Sequence, residues 1–158
     1  MILAIDPGTK AGWAIGEEHT AVYIYGAWNF TPKAKTKTRP AELKHSRLLK
    51  AYTALQDLII KYRKPDVIVC EDAAGFTRGK TAVEASHKFR AVIELFCLDE
   101  DIPLTYVQPA DIKRFITGKG NADKEAMIAA AQKKFGYTGN NDDEADAICL
   151  LNWGRNFT

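Results

Sequence analysis

Residues 2–16 read ILAIDPGTKAGWAIG. The apolar run 2–5 has the character of a strand, and Asp6-Pro7-Gly8 closes it with a turn signal. A second short strand is expected at 12–16. Residues 21–28 (AVYIYGAW) are rich in β-branched and aromatic side chains, which suits a third. Such close spacing implies antiparallel hairpins. Residues 29–39 are polar and lysine-rich and read as a loop.

The chain then changes rhythm. Pro40 is expected to open a helix, in which Leu48, Tyr52, Leu55, Ile59 and Tyr62 recur on one face until Pro65 stops it. Residues 66–70 (DVIVC) form a continuous apolar run like a buried central strand, and Glu71 follows. Thr81-Ala-Val-Glu84 reads as a capping box opening a helix to about residue 98. A fifth strand is expected at 103–107 and a short helix from Pro109 to 116. Asn121 is expected to cap a helix ending at Gly136, and Asn140 or Asn141 to cap a last one reaching about 153. Hairpins followed by strand–helix–strand units make this an α/β protein with a mixed five-stranded sheet and helices on both faces. With 158 residues and no internal repeat or linker, the chain reads as one domain.

Composition narrows the function. The chain is 46% hydrophobic and 27% charged, which argues against disorder. No apolar run approaches the ~20 residues of a membrane helix, and Asp6 interrupts any secretory signal. Cys70, Cys97 and Cys149 are odd in number and lie in apolar stretches, as reduced core residues of a cytosolic protein do. The net charge is only +2, yet residues 33–64 hold ten Lys or Arg against two acids. A basic stripe on a near-neutral chain suggests a polyanion such as nucleic acid, with Lys33, Lys35, Lys37 and Arg39 at its exposed start. A solvated helix face with a lysine-rich loop is the plainer alternative.

Four carboxylates carry the site argument. Sites in such sheets form at the carboxyl ends of strands, which is where Asp6 and Glu71 are expected. Asp143 and Asp146 stand three apart on the last helix and share a face. Two unit charges at 4 Å repel by about 4 kcal/mol at an effective dielectric near 20. Four converging acids would therefore need protons or cations. Hard divalent ions take oxygen ligands, and Mg²⁺ is the usual one with carboxylates and phosphates, with Mn²⁺ as a substitute. Two such ions per site could serve both oxygens of a phosphodiester displacement. Each acid also has a plainer role: Asp6 in its own turn, Glu71 as a strand-edge charge, Asp142, Asp143 and Glu144 facing a helix dipole. Asp146, among Ala145, Ala147 and Ile148, is the hardest to explain that way.

Read together, these segments carry a resemblance. IDPGTKAGWAI, VIVCE, the closing Asp143-Glu-Ala-Asp146-Ala, and DIKRFITGKGNADKEAM at 111–127 resemble the RuvC-type Holliday junction resolvases, bacterial or phage. The likeness covers essentially the whole chain. It implies a ribonuclease H-like fold, a homodimer, Mg²⁺, and paired symmetric nicks in four-way DNA junctions. It further implies that Asp6, Glu71, Asp143 and Asp146 are catalytic metal ligands, and that Lys113 and Lys124 hold phosphate near the cut. Arg114 and Lys119 flank the same basic turn and join the expected DNA contacts. The loop after Glu71 departs from the pattern. Phe76 is its candidate junction-wedging aromatic, able to stack on a base or to tuck into the core, with Arg78 and Lys80 beside it. The dimer face is expected on the helix 81–98, through Val83, Phe89, Val92, Ile93 and Phe96. The implied setting is the cytoplasm of a bacterial cell or phage-infected host.

Two other readings stay open: a nuclease acting on RNA–DNA hybrids or flaps, and a non-catalytic binder of branched DNA. A nucleotide cofactor is not expected. Gly79-Lys80-Thr81 resembles the end of a P-loop but has Ala74 where that motif needs glycine, and Gly118-Lys-Gly120 lacks the third glycine of a dinucleotide fingerprint. His19, His45 and His87 show no metal-ligand spacing.

Overall fold

The computed structural model describes residues 1–38, 40–43, 45–72 and 80–158, and for 80–83 the backbone only. Five strands, β1 (Ile2–Asp6), β2 (Lys10–Gly16), β3 (Tyr23–Asn29), β4 (Val67–Glu71) and β5 (Leu104–Val107), form one sheet in the order β3-β2-β1-β4-β5. The β1–β2 and β2–β3 pairs are antiparallel hairpins, as their spacing predicts. β4 lies parallel to β1, and β5 parallel to β4. The helices are α1 (Ser46–Tyr62), α2 (Lys80–Asp99), α3 (Pro109–Thr117), α4 (Lys124–Phe135) and α5 (Asp142–Phe157).

Strand alternation divides the core between the two sheet faces. Ile2 and Ala4 of β1 and Val69 of β4 pack with Ile148 and Leu151 of α5, over which α3 and α4 lie. Leu3, Ile5, Ile68 and Cys70 face the other way, against Leu55 and Leu58 of α1 and Ile93 and Phe96 of α2. The sheet is thus covered on both faces, as expected. Cys70, Cys97 and Cys149 are buried free thiols. Burial raises the Cys70 thiol well above its ordinary range, which keeps it unreactive. No described helix is long and apolar enough to cross a membrane.

Four local expectations are corrected. α1 starts at Ser46 rather than at Pro40. Glu42 is otherwise engaged: its carboxylate accepts from the Lys33 backbone and pairs with Lys50, while its own N–H donates to the Lys33 carbonyl. These contacts tie the basic loop down ahead of the helix. α4 is capped by Asp123, whose side chain accepts from the Ala126 N–H at 2.9 Å, and not by Asn121. Finally, the apolar stripe of α2 points inward. Phe89 stacks on Phe30 with ring centroids 5.4 Å apart, Ile93 and Phe96 are buried in the core, and Val92 packs beside them. They build the molecule's own interior and offer no dimer face. The Val83 side chain lies outside the described residues. α2 begins at Lys80, one residue before the expected capping box.

Candidate active site

Parallel pairing of β1 with β4 puts Ile5 opposite Cys70, so Asp6 and Glu71 follow as neighbours at the carboxyl ends of adjacent strands. Adjacent strands lie about 4.8 Å apart. α5 starts over this same edge. Asn141 caps it by accepting from the Glu144 N–H, which sets Asp143 and Asp146 on the face toward the strand ends. A cavity of about 320 Å³ opens there, and Asp6, Glu71, Asp143 and Asp146 all line it. Lys113 of α3 and Lys124 at the start of α4 line it too. Six side chains from distant parts of the sequence therefore meet at one concavity.

The electrostatics are those of crowded acids. Desolvation pushes the Asp146 carboxyl up to about 6, and the neighbouring Asp142 charge adds to the shift, against the pull of Lys113 and Lys124. Desolvation likewise raises Asp143 above the ordinary aspartate value, with Asp142 again contributing. Charge on this wall of the cavity is costly without a cation. Among the described residues no three Asp, Glu, His or Cys side chains stand close enough to cage one ion by themselves.

Other residues join the cavity that the motif reading passed over. Lys10 follows the Asp6 turn, lines the wall, and acts to lower the Asp143 carboxyl. Asp142 lines it as well and forms an ion pair with Lys124. That pair holds the Asp142 carboxyl below its ordinary range. Nothing in the spacing of the chain joins residue 142 to residue 124; the meeting of two helix N-termini does.

The remaining expected DNA contacts fall elsewhere. Lys33, Lys35 and Lys37 are on the loop ahead of α1 and do not line the cavity. Arg114 turns away to pair with Asp111 at 2.7 Å, and Lys119 is exposed in the turn after α3. Arg39, Phe76 and Arg78 lie outside the described residues, as does the side chain of Lys80. The three histidines are exposed.

Comparison with known proteins bears on this geometry. The chain is 32% identical over 154 residues to a crossover junction endodeoxyribonuclease RuvC of Brachyspira hyodysenteriae, covering 95% of this chain and 90% of that one. It is 31% identical over 156 residues to the RuvC of Caldicellulosiruptor saccharolyticus, covering 94% and 88%. A Thermus thermophilus RuvC structure superposes with a TM-score of 0.69 at 16% identity, over 94% of this chain and 89% of that one. The T. thermophilus RuvC in complex with a Holliday junction substrate gives 0.73 at 15% identity, over 98% and 94%. These superpositions carry the fold, a ribonuclease H-like α/β sheet. The family model described as crossover junction endodeoxyribonuclease RuvC matches residues 2–151. By that match and by its relatives over nearly its whole length, the chain belongs to the RuvC family.

Proposed function

We propose that this protein is a divalent-metal-dependent endonuclease that resolves four-way DNA junctions by paired, symmetric nicks. The observation that carries the reading is the convergence of Asp6, Glu71, Asp143 and Asp146 with Lys113 and Lys124 on one cavity. Family membership supplies the substrate class. One solved RuvC holds a Holliday junction substrate, which supports branched DNA as the ligand here.

Mg²⁺ fits the donor set. It is usually held by one or two carboxylates plus waters and substrate phosphates, not by an all-protein cage. Pairs of these four acids, completed by water and a DNA phosphate, match that habit. The raised Asp146 carboxyl agrees, since a desolvated acid is relieved by a cation. When bound, two ions supply Lewis acidity to the phosphate and lower the pKa of the attacking water.

The chain's own groups do the rest. The four carboxylates would bind and orient the ions. Lys113 and Lys124 would hold the scissile phosphate and offset the charge that develops on it. Because Lys124 is paired with Asp142, an incoming phosphate would compete with that carboxylate for the ammonium. Lys33, Lys35 and Lys37 would bind flanking DNA through phosphate, without reading sequence.

A junction has near two-fold symmetry, so a symmetric homodimer can present two cavities to opposed strands. With the inner stripe of α2 consumed by the core, the surface we assign to the second copy is the outer face of α2. There Leu95 and Leu98 are 59% and 81% exposed.

The test is incubation with an end-labelled synthetic four-way junction, with and without Mg²⁺, mapping the nicks on all strands. Symmetric nicks on opposed strands that need Mg²⁺ support the reading. Asp6→Asn should abolish them while keeping junction binding, because it removes a ligand and a repulsive charge together. Cleavage of a hybrid duplex in preference to the junction, or metal-independent binding with no nicks, would overturn it.

A further inference from the structure

Two consecutive carboxylates at the end of β4 serve opposite sides of the sheet. Glu71 lines the cavity. Asp72 accepts from Arg90 Nη1 of α2 at 2.6 Å, on the side away from α5. Its second carboxylate oxygen accepts from Gln108 Nε2 at 2.8 Å, and its N–H donates to the Val107 carbonyl at 2.7 Å. Arg90 is itself fixed. Its Nε donates to Glu94 at 3.1 Å, and its guanidinium lies 3.8 Å over the Tyr106 ring. Tyr106 Oη in turn donates to the same Glu94 oxygen at 2.6 Å.

This network is more than a surface ion pair. The side chains of Asp72 and Arg90 are only 16% and 30% exposed. A guanidinium held by two carboxylates and an aromatic face has few rotamers left to lose. Gln108 also immediately precedes α3, the helix that carries Lys113. One cluster therefore grips the strand end that presents Glu71 and the helix start that presents Lys113. Catalytic groups need such support, because a displacement of about 1 Å can cost about 100-fold in rate.

We propose that Arg90, through Asp72, is a positioning residue that sets Glu71 for metal binding. The proposal rests on the metal-nuclease reading above. It separates cleanly from a purely electrostatic role. Deleting a positive charge near the strand end would, by charge alone, tighten a cation; loss of positioning would loosen it.

The test is calorimetric titration of wild-type protein, Arg90→Gln, Arg90→Lys and Gln108→Ala with Mn²⁺ alone, together with unfolding midpoints and single-turnover junction cleavage against Mg²⁺ concentration. Arg90→Gln is expected to weaken Mn²⁺ about fivefold or more and to raise the Mg²⁺ concentration for half-maximal cleavage about tenfold. Junction affinity without metal should change less than about twofold. Arg90→Lys should recover only part, lacking the fork that reaches Asp72 and Glu94 together. Gln108→Ala, at an exposed position that threatens the fold least, should shift both metal readouts the same way by less. A lower unfolding midpoint with unchanged Mn²⁺ affinity, or tighter Mn²⁺ in Arg90→Gln, would overturn the inference. Wild-type protein that binds no Mn²⁺ would overturn the metal reading itself.

Discussion

The carbonyl oxygen of Asp143 occupies the space where a side chain on Gly12 would begin: a Cβ there would stand 1.7 Å from it. Gly12 is also the β2 partner of Asp6 in the β1–β2 ladder. The absent side chain thus lets the first turn of α5 settle directly over the strand end that carries Asp6. The helix bearing Asp143 and Asp146 reaches Asp6 because one residue has no Cβ.

Gly12→Ala should therefore push α5 off the sheet at its N-terminus. The clash is with backbone, which cannot rotate away. A loss of about 1–3 kcal/mol is expected from overpacking, and cleavage should fall by roughly 10–100-fold as Asp143 and Asp146 shift. Gly154→Ala is the control. Its new methyl would meet Val69 Cγ2 at 3.1 Å, away from the acids. Urea unfolding and single-turnover cleavage of both variants check this: the control should lose stability without a matching loss of chemistry.

The Asp146 carboxyl, pushed up to about 6, gives stability a pH signature in metal-free protein. Its folded-state pKa exceeds the ordinary 3.8, so the folded protein binds this proton more tightly than the unfolded chain. Above pH 6 the ionised group costs stability; as pH falls from 6 toward 4 that cost disappears. Asp146→Asn should then stabilise the metal-free protein at pH 7.5 by up to about 3 kcal/mol and change little at pH 4. Added Mg²⁺ should shrink the gain, since it stabilises the wild type, with all four acids, more than the variant that lacks one. Unfolding curves at both pH values, with EDTA and with Mg²⁺, measure it.

Lys124→Ala should slow cleavage more than it weakens binding. A lysine on the scissile phosphate acts mainly on charge that develops in the transition state. Removing it also leaves Asp142 to repel the phosphate. A drop of about 10²–10³ in single-turnover rate is expected, against a few-fold change in junction Kd. Equal losses in both would assign Lys124 to general DNA attraction.

Neutralising Lys33, Lys35 and Lys37 together tests the basic loop. For every phosphate these lysines no longer neutralise, the slope of log K against log salt should flatten by about 0.9. Affinity for junction and linear duplex should fall alike, and the cleavage rate of bound junction should not change. Binding isotherms across a salt series read the slope; an unaltered slope would exclude the loop from the DNA interface.

Much of this arrangement was legible in the chain. Periodicity and turn residues mark all five strands and the five helices, because apolar patterning and Gly, Pro and Asn signals act locally. The strand ends at Asp6 and Glu71 and the D-x-x-D spacing of the last helix mark the four acids as candidates, and only the family resemblance gathers them into one site. What escaped legibility depends on groups distant in sequence. Pro40 is an adequate helix opener on local grounds, but Glu42 is claimed by Lys33 and Lys50. The α2 stripe looks the same whether it meets the molecule's own core or a second copy. Only Phe30 and the sheet, placed against it, decide for the core. Asp142 reads as a dipole-facing acid until α4 brings Lys124 to it. Asp72 and Arg90 carry no motif, and their pairing exists only once α2 crosses the end of β4.

The central claim is that the acids of residues 6, 71, 143 and 146 together hold divalent ions at the DNA backbone. Anomalous diffraction from crystals soaked in Mn²⁺, with a junction bound, tests it most directly. The account predicts manganese peaks inside this cavity, ligated by Asp6 and shared among Glu71, Asp143 and Asp146. Manganese found only at other surfaces, with these four carboxylates unligated, would contradict it.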